Sequence, residues 1–206
     1  MRGRRRLSAV SRAVQSAFGR HGPRHYLAQL KRVSLGARGS LNGDGMDGTA
    51  RLGIDFGGVF VGSTEGAGRV SSREVDSVLP LEGALSGARR LSAAFGGRIW
   101  IISKASADTE AWTRTWLHRH GFVGQSCVPV ENIVFVRERG GKRAECESRR
   151  ITHLVDDRAE NLASVAGVVD HLYLFGATSG EESGPDGVTR VPDWSKLIEM
   201  LGATHG

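Results

Sequence analysis

Residues 98–121 read RIWIISKASADTEAWTRTWLHRHG. A short apolar run is followed by a predicted helix that has a capping residue at its start and a glycine at its end. Arg98–Ser103 is apolar on both faces and rich in isoleucine, which predicts a strand buried in a parallel sheet. Asp108–His120 is predicted to be the helix, with Ser106 capping its first turn and Gly121 ending it. The stretch therefore predicts one strand–helix unit of an α/β protein.

The same alternation of strands and helices extends over the chain from about residue 50. The other predicted strands are Arg51–Asp55, Asn132–Val136, Ile151–Val155 and His171–Phe175. The other predicted helices are Glu82–Phe95, Lys142–Arg149, Ala159–Ala166 and Pro192–Leu201. Such alternation favours parallel strands joined by right-handed crossovers. We predict an α/β fold, a Rossmann-like doubly wound parallel sheet of about five strands, with helices on both faces and no large cap domain.

The positive charge of the chain is concentrated ahead of this region. The 206 residues have a formal net charge of +6, yet residues 1–43 hold ten of the 28 Lys and Arg and none of the 22 Asp and Glu. The remaining 18 basic and 22 acidic residues make the rest of the chain mildly acidic, so the high pI does not indicate a nucleic-acid-binding domain. We predict a disordered basic extension and linker over residues 1–48 and one α/β domain over residues 49–206.

The extension has three interpretations. Its acid-free, Arg- and Ser-rich amphipathic start resembles an organelle transit peptide. It could instead be translated upstream of the true start, because Met46 stands just before the first predicted strand. It could also bind nucleic acid, which we expect of no other part of the chain. We expect a cytoplasmic protein, or an organellar one if the transit-peptide interpretation holds.

Two classes of protein are disfavoured by what the sequence lacks. No stretch approaches about 18 uninterrupted apolar residues, so we expect neither a membrane-spanning helix nor a membrane partner. Cys127 and Cys146 are too few for a disulfide scaffold and do not have the spacing of a zinc finger.

Residues that can carry chemistry follow the predicted strands at their carboxyl ends. Asp55 ends the first strand, Ser103 ends the second, and Asp156 and Asp157 follow the fourth, while Lys142 opens the helix before it. Each of them alone could simply cap a neighbouring helix or face solvent. Ligands of open α/β sheets bind beyond the carboxyl ends of the strands. Because carboxylates bind Mg²⁺ and Lys and Ser bind phosphoryl oxygens, the set predicts a site for Mg²⁺ and phosphate.

In this order the residues resemble the four motifs of the haloacid dehalogenase (HAD) superfamily of phosphotransferases, over about residues 50–178. Asp55 matches the first motif and Ser103 the second. Lys142 matches the third, and the pair Asp156–Asp157 in VDDRAEN matches the fourth.

The resemblance implies a role for each matching residue. Asp55 would attack the phosphorus atom of a phosphorylated substrate, of unknown identity, and form an aspartyl-phosphate. The residues that bind the phosphoryl group would be Ser103, Lys104 and Lys142. The ligands of a Mg²⁺ cofactor would be Asp55, the backbone carbonyl of Gly57, Asp156 and Asp157.

One position departs from the pattern of the family. Its phosphatases carry a second Asp two residues after the nucleophile, which protonates the leaving group. Here that residue is Gly57, although Val59 fits the last position of the motif. General acid–base catalysis is worth about 10²–10⁴-fold. The resemblance therefore implies slow hydrolysis, unless another acid such as Glu65 takes this role.

Two other functions stay open. A non-catalytic relative would keep the fold and bind Mg²⁺ and phosphate without turnover. The stretch GIDFGGV at residues 53–59 also resembles the phosphate-binding start of sugar kinases and actin-like ATPases. Those proteins need two such domains, and this chain is too short for two.

Overall fold

The computed structural model of the protein describes residues 50–62, 75–177 and 187–202. These residues form an α/β fold around a six-stranded sheet in which all neighbouring strands are parallel. The strands are β1 (Leu52–Ile54), β2 (Ile99–Lys104), β3 (Ile133–Val136), β4 (His153–Asp156), β5 (His171–Phe175) and β6 (Val188–Val191). Their order across the sheet is β3-β2-β1-β4-β5-β6. The α/β, Rossmann-like architecture predicted from the sequence is confirmed.

Helices cover both faces of this sheet. They are α1 (Ala84–Ala94), α2 (Ala107–Arg119), α3 (Phe122–Ser126), α4 (Arg139–Arg149), α5 (Ala159–Val165) and α6 (Trp194–Gly202). Successive strand residues point to opposite faces, so the core is divided in two. Ile101 of β2 belongs to the larger cluster, with α1, α2 and α6. Ile102 belongs to the smaller one, with Cys146 of α4 and Leu162 of α5.

The number of strands, one short helix and the start of the last helix differ from the sequence-based expectation. The sheet has six strands, not about five, because β6 reads VTRV at the sheet edge and only Val191 is buried, which leaves little apolar pattern to detect. The short helix α3 was also not predicted. The last helix begins at Trp194 rather than Pro192, since Asp193 Oδ1 accepts the backbone N–H of Lys196 at 2.8 Å and caps it.

The strand that carries Asp55 lies in the middle of the sheet. Ile54 of β1 is level with Ile101 of β2 on one side and with Val155 of β4 on the other. The chain runs outward from β1 through β2 and β3, then returns to the other side of β1 as β4. The strand order therefore reverses between β1 and β4, and this reversal is where open α/β sheets bind their ligands.

Aromatic packing holds the loop that follows β1. Phe60 stacks with Phe56, and its ring centroid lies 5.0 Å from that of Trp194. The indole N–H of Trp194 donates to the backbone carbonyl of Val59 at 2.7 Å. Because these aromatic side chains are buried, their packing holds the backbone immediately after Asp55 in place.

Some expectations concern residues outside the described ranges. One is the basic extension over residues 1–48, with its alternative interpretations and the proposed start at Met46. The other is the segment 63–74 between β1 and α1, which contains Glu65 and for which no large cap domain was expected. The domain boundary thus stays a prediction. Among the helices that the structure describes, none is long and apolar enough to cross a membrane.

Candidate active site

A buried lysine joins two carboxylates at the carboxyl edge of the sheet. Lys142 Nζ lies 3.1 Å from Asp55 Oδ1 and 2.6 Å from Asp156 Oδ2. The Lys142 side chain is 1% exposed and that of Asp156 is fully buried. Asp55 follows β1, Asp156 ends β4, and Lys142 lies in the first turn of α4, so the sheet brings together residues that are far apart in sequence.

Further hydrogen bonds fix the carboxylate of Asp156. Its Oδ1 accepts the backbone N–H of Arg158 at 3.0 Å. The side-chain amide of Asn161 donates to Oδ1 at 3.0 Å and to Oδ2 at 3.2 Å. Sequence reasoning missed Asn161, although the stretch VDDRAEN places it one turn after the acidic pair. With these donors and Lys142, both oxygens of Asp156 are held in a fixed orientation.

Burial and neighbouring charges act in opposite directions on the pKa values of Lys142 and Asp55. Burial alone would lower the pKa of Lys142, but the carboxylates of Asp55 and Asp156 raise its pKa above the usual range, so the ammonium stays charged. Burial raises the pKa of Asp55, which Lys142 opposes and Asp156 reinforces. The group is therefore an ion triad with more negative than positive charge.

Asp157 adds a third carboxylate. Oxygens of Asp55, Asp156 and Asp157 all lie within 4.8 Å of one another. Burial, followed by repulsion from Asp55 and Asp156, raises the pKa of Asp157 to about 7. The charge of Arg158 and the backbone N–H of Asp157 itself act in the opposite direction on this pKa.

The charges of the cluster fit a divalent cation. When all three carboxylates are ionised, they and the one ammonium leave two negative charges in a largely buried place, which is costly without a counter-ion and accounts for the raised pKa values of Asp55 and Asp157. The atoms that converge here are carboxylate oxygens, which are the donors that Mg²⁺ prefers. The residues present thus fit a hard cation held by Asp55, Asp156 and Asp157.

Ser103 and Lys104 end the neighbouring strand. Ser103 is buried, and its backbone is level with Phe135 of β3. Lys104 is exposed. Neither residue is joined by a hydrogen bond to the carboxylate–lysine cluster, so the structure places them at the same edge without placing them in that network.

Helix α4 starts earlier than the sequence predicted. Lys142 was expected to open the helix, but α4 begins at Arg139 and Lys142 ends its first turn. Gly141 leaves room for this approach, because a Cβ there would lie 3.0 Å from the Cβ of Val136 in β3. The close contact between helix and sheet directs the lysine toward Asp55.

Two adjacent glycines after β1 differ in what they require. At Gly57, an added Cβ would have no atom within 4 Å, and the backbone is not left-handed. At Gly58, φ is +69°, and an added Cβ would overlap the Asp157 carboxylate and lie 2.7 Å from its Cβ. Gly58 is therefore needed for the close approach of this loop to Asp157, whereas Gly57 is not constrained by space.

Gly58→Ala should displace Asp157 and destabilise the protein by about 1–3 kcal/mol, because alanine is strained in the left-handed region and has no space there. It should also weaken any stabilisation by Mg²⁺. Urea denaturation with and without Mg²⁺ measures both effects. Gly57→Ala is the matched control and should change either quantity little. Equal effects of the two substitutions would contradict this account of the loop.

The chain matches no protein-family model and no curated protein. The HAD resemblance consequently rests on the motif residues and on their placement in the fold.

Proposed function

We propose that the protein is a Mg²⁺-dependent phosphohydrolase of the HAD type that works through an aspartyl-phosphate on Asp55. The observation that carries this proposal is the contact of buried Lys142 with both Asp55 and Asp156, at the point where the strand order reverses. Asp157 completes a cluster of three carboxylates beside it. The combination supplies a nucleophile, a fixed positive charge and a set of metal ligands in one place.

In this proposal the free oxygen of the Asp55 carboxylate attacks phosphorus. A bond forms between that oxygen and phosphorus while the bond from phosphorus to the ester oxygen breaks. Lys142 orients the carboxylate and offsets the negative charge that gathers around the phosphoryl group. Ser103, which is buried near the end of β2, donates a hydrogen bond to a phosphoryl oxygen. Water then hydrolyses the acyl phosphate and regenerates Asp55.

Asp55, Asp156 and Asp157 would hold the Mg²⁺ ion, with the backbone carbonyl of Gly57 as a further ligand. When bound, the ion supplies positive charge that reduces repulsion between the anionic nucleophile and the anionic substrate. Gly57 has no side chain to protonate the leaving alkoxide, so in this proposal the alkoxide takes its proton from water unless another acid such as Glu65 supplies it. Hydrolysis is consequently expected to be slow.

A second candidate function is binding without turnover, and Gly57 is the observation that favours it. An assay of the full chain against a panel of phosphate esters separates the two candidates. Mg²⁺-dependent release of phosphate that Asp55→Asn abolishes supports the enzyme. Binding of inorganic phosphate in Mg²⁺, with no release above the Asp55→Asn background, supports the binding protein.

Mg²⁺ should raise the melting temperature, because a ligand that binds only the folded state stabilises it, by about 2.7 kcal/mol at 100 times its dissociation constant. Asp157→Asn should remove most of this rise, since it removes one of the three clustered carboxylates without touching the pairs that Lys142 makes with Asp55 and Asp156. Differential scanning calorimetry with and without Mg²⁺ measures the change. Asp170→Asn, at an exposed acid before β5, is the control. An Asp157→Asn variant that responds to Mg²⁺ like the wild type would exclude this metal site.

A further inference from the structure

Lysines in the described part of the chain differ in whether they form an ion pair with a carboxylate. Lys142 pairs with Asp55 and Asp156, and Lys196 pairs with Glu199 at 2.8 Å. Lys104 has no carboxylate partner among the described residues and is exposed. It is the last residue of β2, so it stands at the carboxyl edge of the sheet beside the candidate active site.

The register of the sheet shows on which side Lys104 lies. Ile54 is level with Ile101, so Asp55 is level with Ile102, and Lys104 comes two residues further along. Alternation puts Ile102 and Lys104 on one face. That is the face of α4, from which Lys142 reaches Asp55, because Ile102 packs in the cluster that contains Cys146 of α4. Lys104 and the nucleophile are thus on the same side of the sheet.

The distance between these positions suits a second anion. Two residues along a strand and one strand across put the α-carbons of Lys104 and Asp55 roughly 8 Å apart. The transferred phosphoryl group already has Lys142 beside it, whereas Lys104 lies further out, over the open edge of the sheet. A flexible four-carbon stem lets its ammonium reach a group a few bonds from the phosphorus.

The arginine that follows the neighbouring strand β3 is already engaged. Arg137, just after β3, donates to the carbonyl of Ala105 at 2.8 Å and to Glu110 Oε2 at 2.6 Å. Its guanidinium therefore holds the loop after β2 against α2. Of the described side chains Lys104 and Arg137, which follow one another at the ends of β2 and β3, Lys104 is therefore the cation without a carboxylate partner among the described residues.

We propose, as an inference that rests on the proposed function, that Lys104 is a specificity residue for phosphomonoesters carrying a second anionic group a few bonds from the phosphate. This differs from the expectation that Lys104 binds the transferred phosphoryl group itself. A contact with the non-reacting part of the substrate acts mainly on binding, so its loss raises KM more than it lowers kcat.

The test compares 2-phosphoglycerate with glycerol 2-phosphate, which differ only by a carboxylate in place of a hydroxymethyl group. The wild type should prefer 2-phosphoglycerate in kcat/KM, and Lys104→Gln should lower that value about 10-fold while changing the value for glycerol 2-phosphate by less than about 3-fold. Lys196→Gln, which also removes one surface lysine, should leave the preference intact.

Equal losses on both esters would overturn the inference, because they would place Lys104 on the transferred phosphoryl group. No loss on either ester would overturn it as well. If the wild type hydrolyses neither ester, the proposed phosphatase function fails separately. The inference about Lys104 is then tested by calorimetric binding of the two esters in Mg²⁺. Tighter binding of 2-phosphoglycerate that Lys104→Gln removes supports the inference. Equal binding of the two esters by the wild type rejects it.

Discussion

Replacing Gly57 with Asp should raise the rate of phosphate-ester hydrolysis at least 10-fold, within the roughly 10²–10⁴-fold that general acid–base groups contribute. The reason is geometric as well as chemical. An added Cβ at this position meets no atom within 4 Å, and the backbone there is not left-handed, so neither the backbone nor the first atom of an Asp side chain is strained. The new carboxyl group lies two residues after Asp55, where it can protonate the leaving oxygen. Steady-state release of inorganic phosphate measures the gain.

Two further variants define what the gain means. Gly57→Asn has nearly the same shape but cannot donate a proton as an acid, so it should give no comparable increase. Gly57→Asp combined with Asp55→Asn should be inactive, because the aspartyl-phosphate cannot form. An increase that persists in the double variant, or one that Asn reproduces, would show that the rate does not depend on an acid acting with Asp55.

Removing the buried lysine should have the largest effect on stability. Lys142→Met leaves Asp55 and Asp156 without their shared positive charge, and breaking a buried ion pair in this way typically costs about 3–5 kcal/mol. Denaturation in urea without Mg²⁺ at neutral pH measures the loss. The loss should shrink as the pH falls, because burial already raises the pKa of Asp55 and protonation removes the unpaired charge.

Lys196→Met provides the comparison for Lys142→Met. It removes a lysine whose pair with Glu199 is solvent-exposed, and such pairs contribute about 0–1 kcal/mol. A Lys142→Met protein as stable as Lys196→Met would mean that the buried triad contributes no net stability. Restoring part of the lost stability with Mg²⁺ would be consistent with a cation taking over the charge of the lysine.

The sequence was sufficient to predict the five strands β1 to β5 and to indicate three residues that the structure brings into contact. Runs such as RIWIIS and ITHLV are apolar on both faces, which only a covered parallel strand explains well. The strand ends then indicated Asp55 and Asp156, and the structure brings both to Lys142. These features were predictable because they depend on local pattern and on the rule that parallel strands end at the same edge.

Other features depend on contacts between distant segments and could not be predicted. β6 is short and half-exposed, so its identity as a strand comes from pairing with β5 rather than from its own pattern. The first turn of α4 contains two glycines, which disfavour a helix, and packing against β3 overrides this preference. The different demands on Gly57 and Gly58 arise only from where Asp157 lies in space.

The central position of β1 also has a consequence for how the protein folds. Its residues Leu52–Ile54 pair with Ile99–Ile101 on one side and with His153–Val155 on the other, so the strand gains its second neighbour only after about a hundred more residues have been synthesised. Pairings so distant in sequence close long loops and slow folding. During translation Asp55 would stay in water until β4 and α4 dock, so the nucleophile loses its hydration only when its lysine arrives.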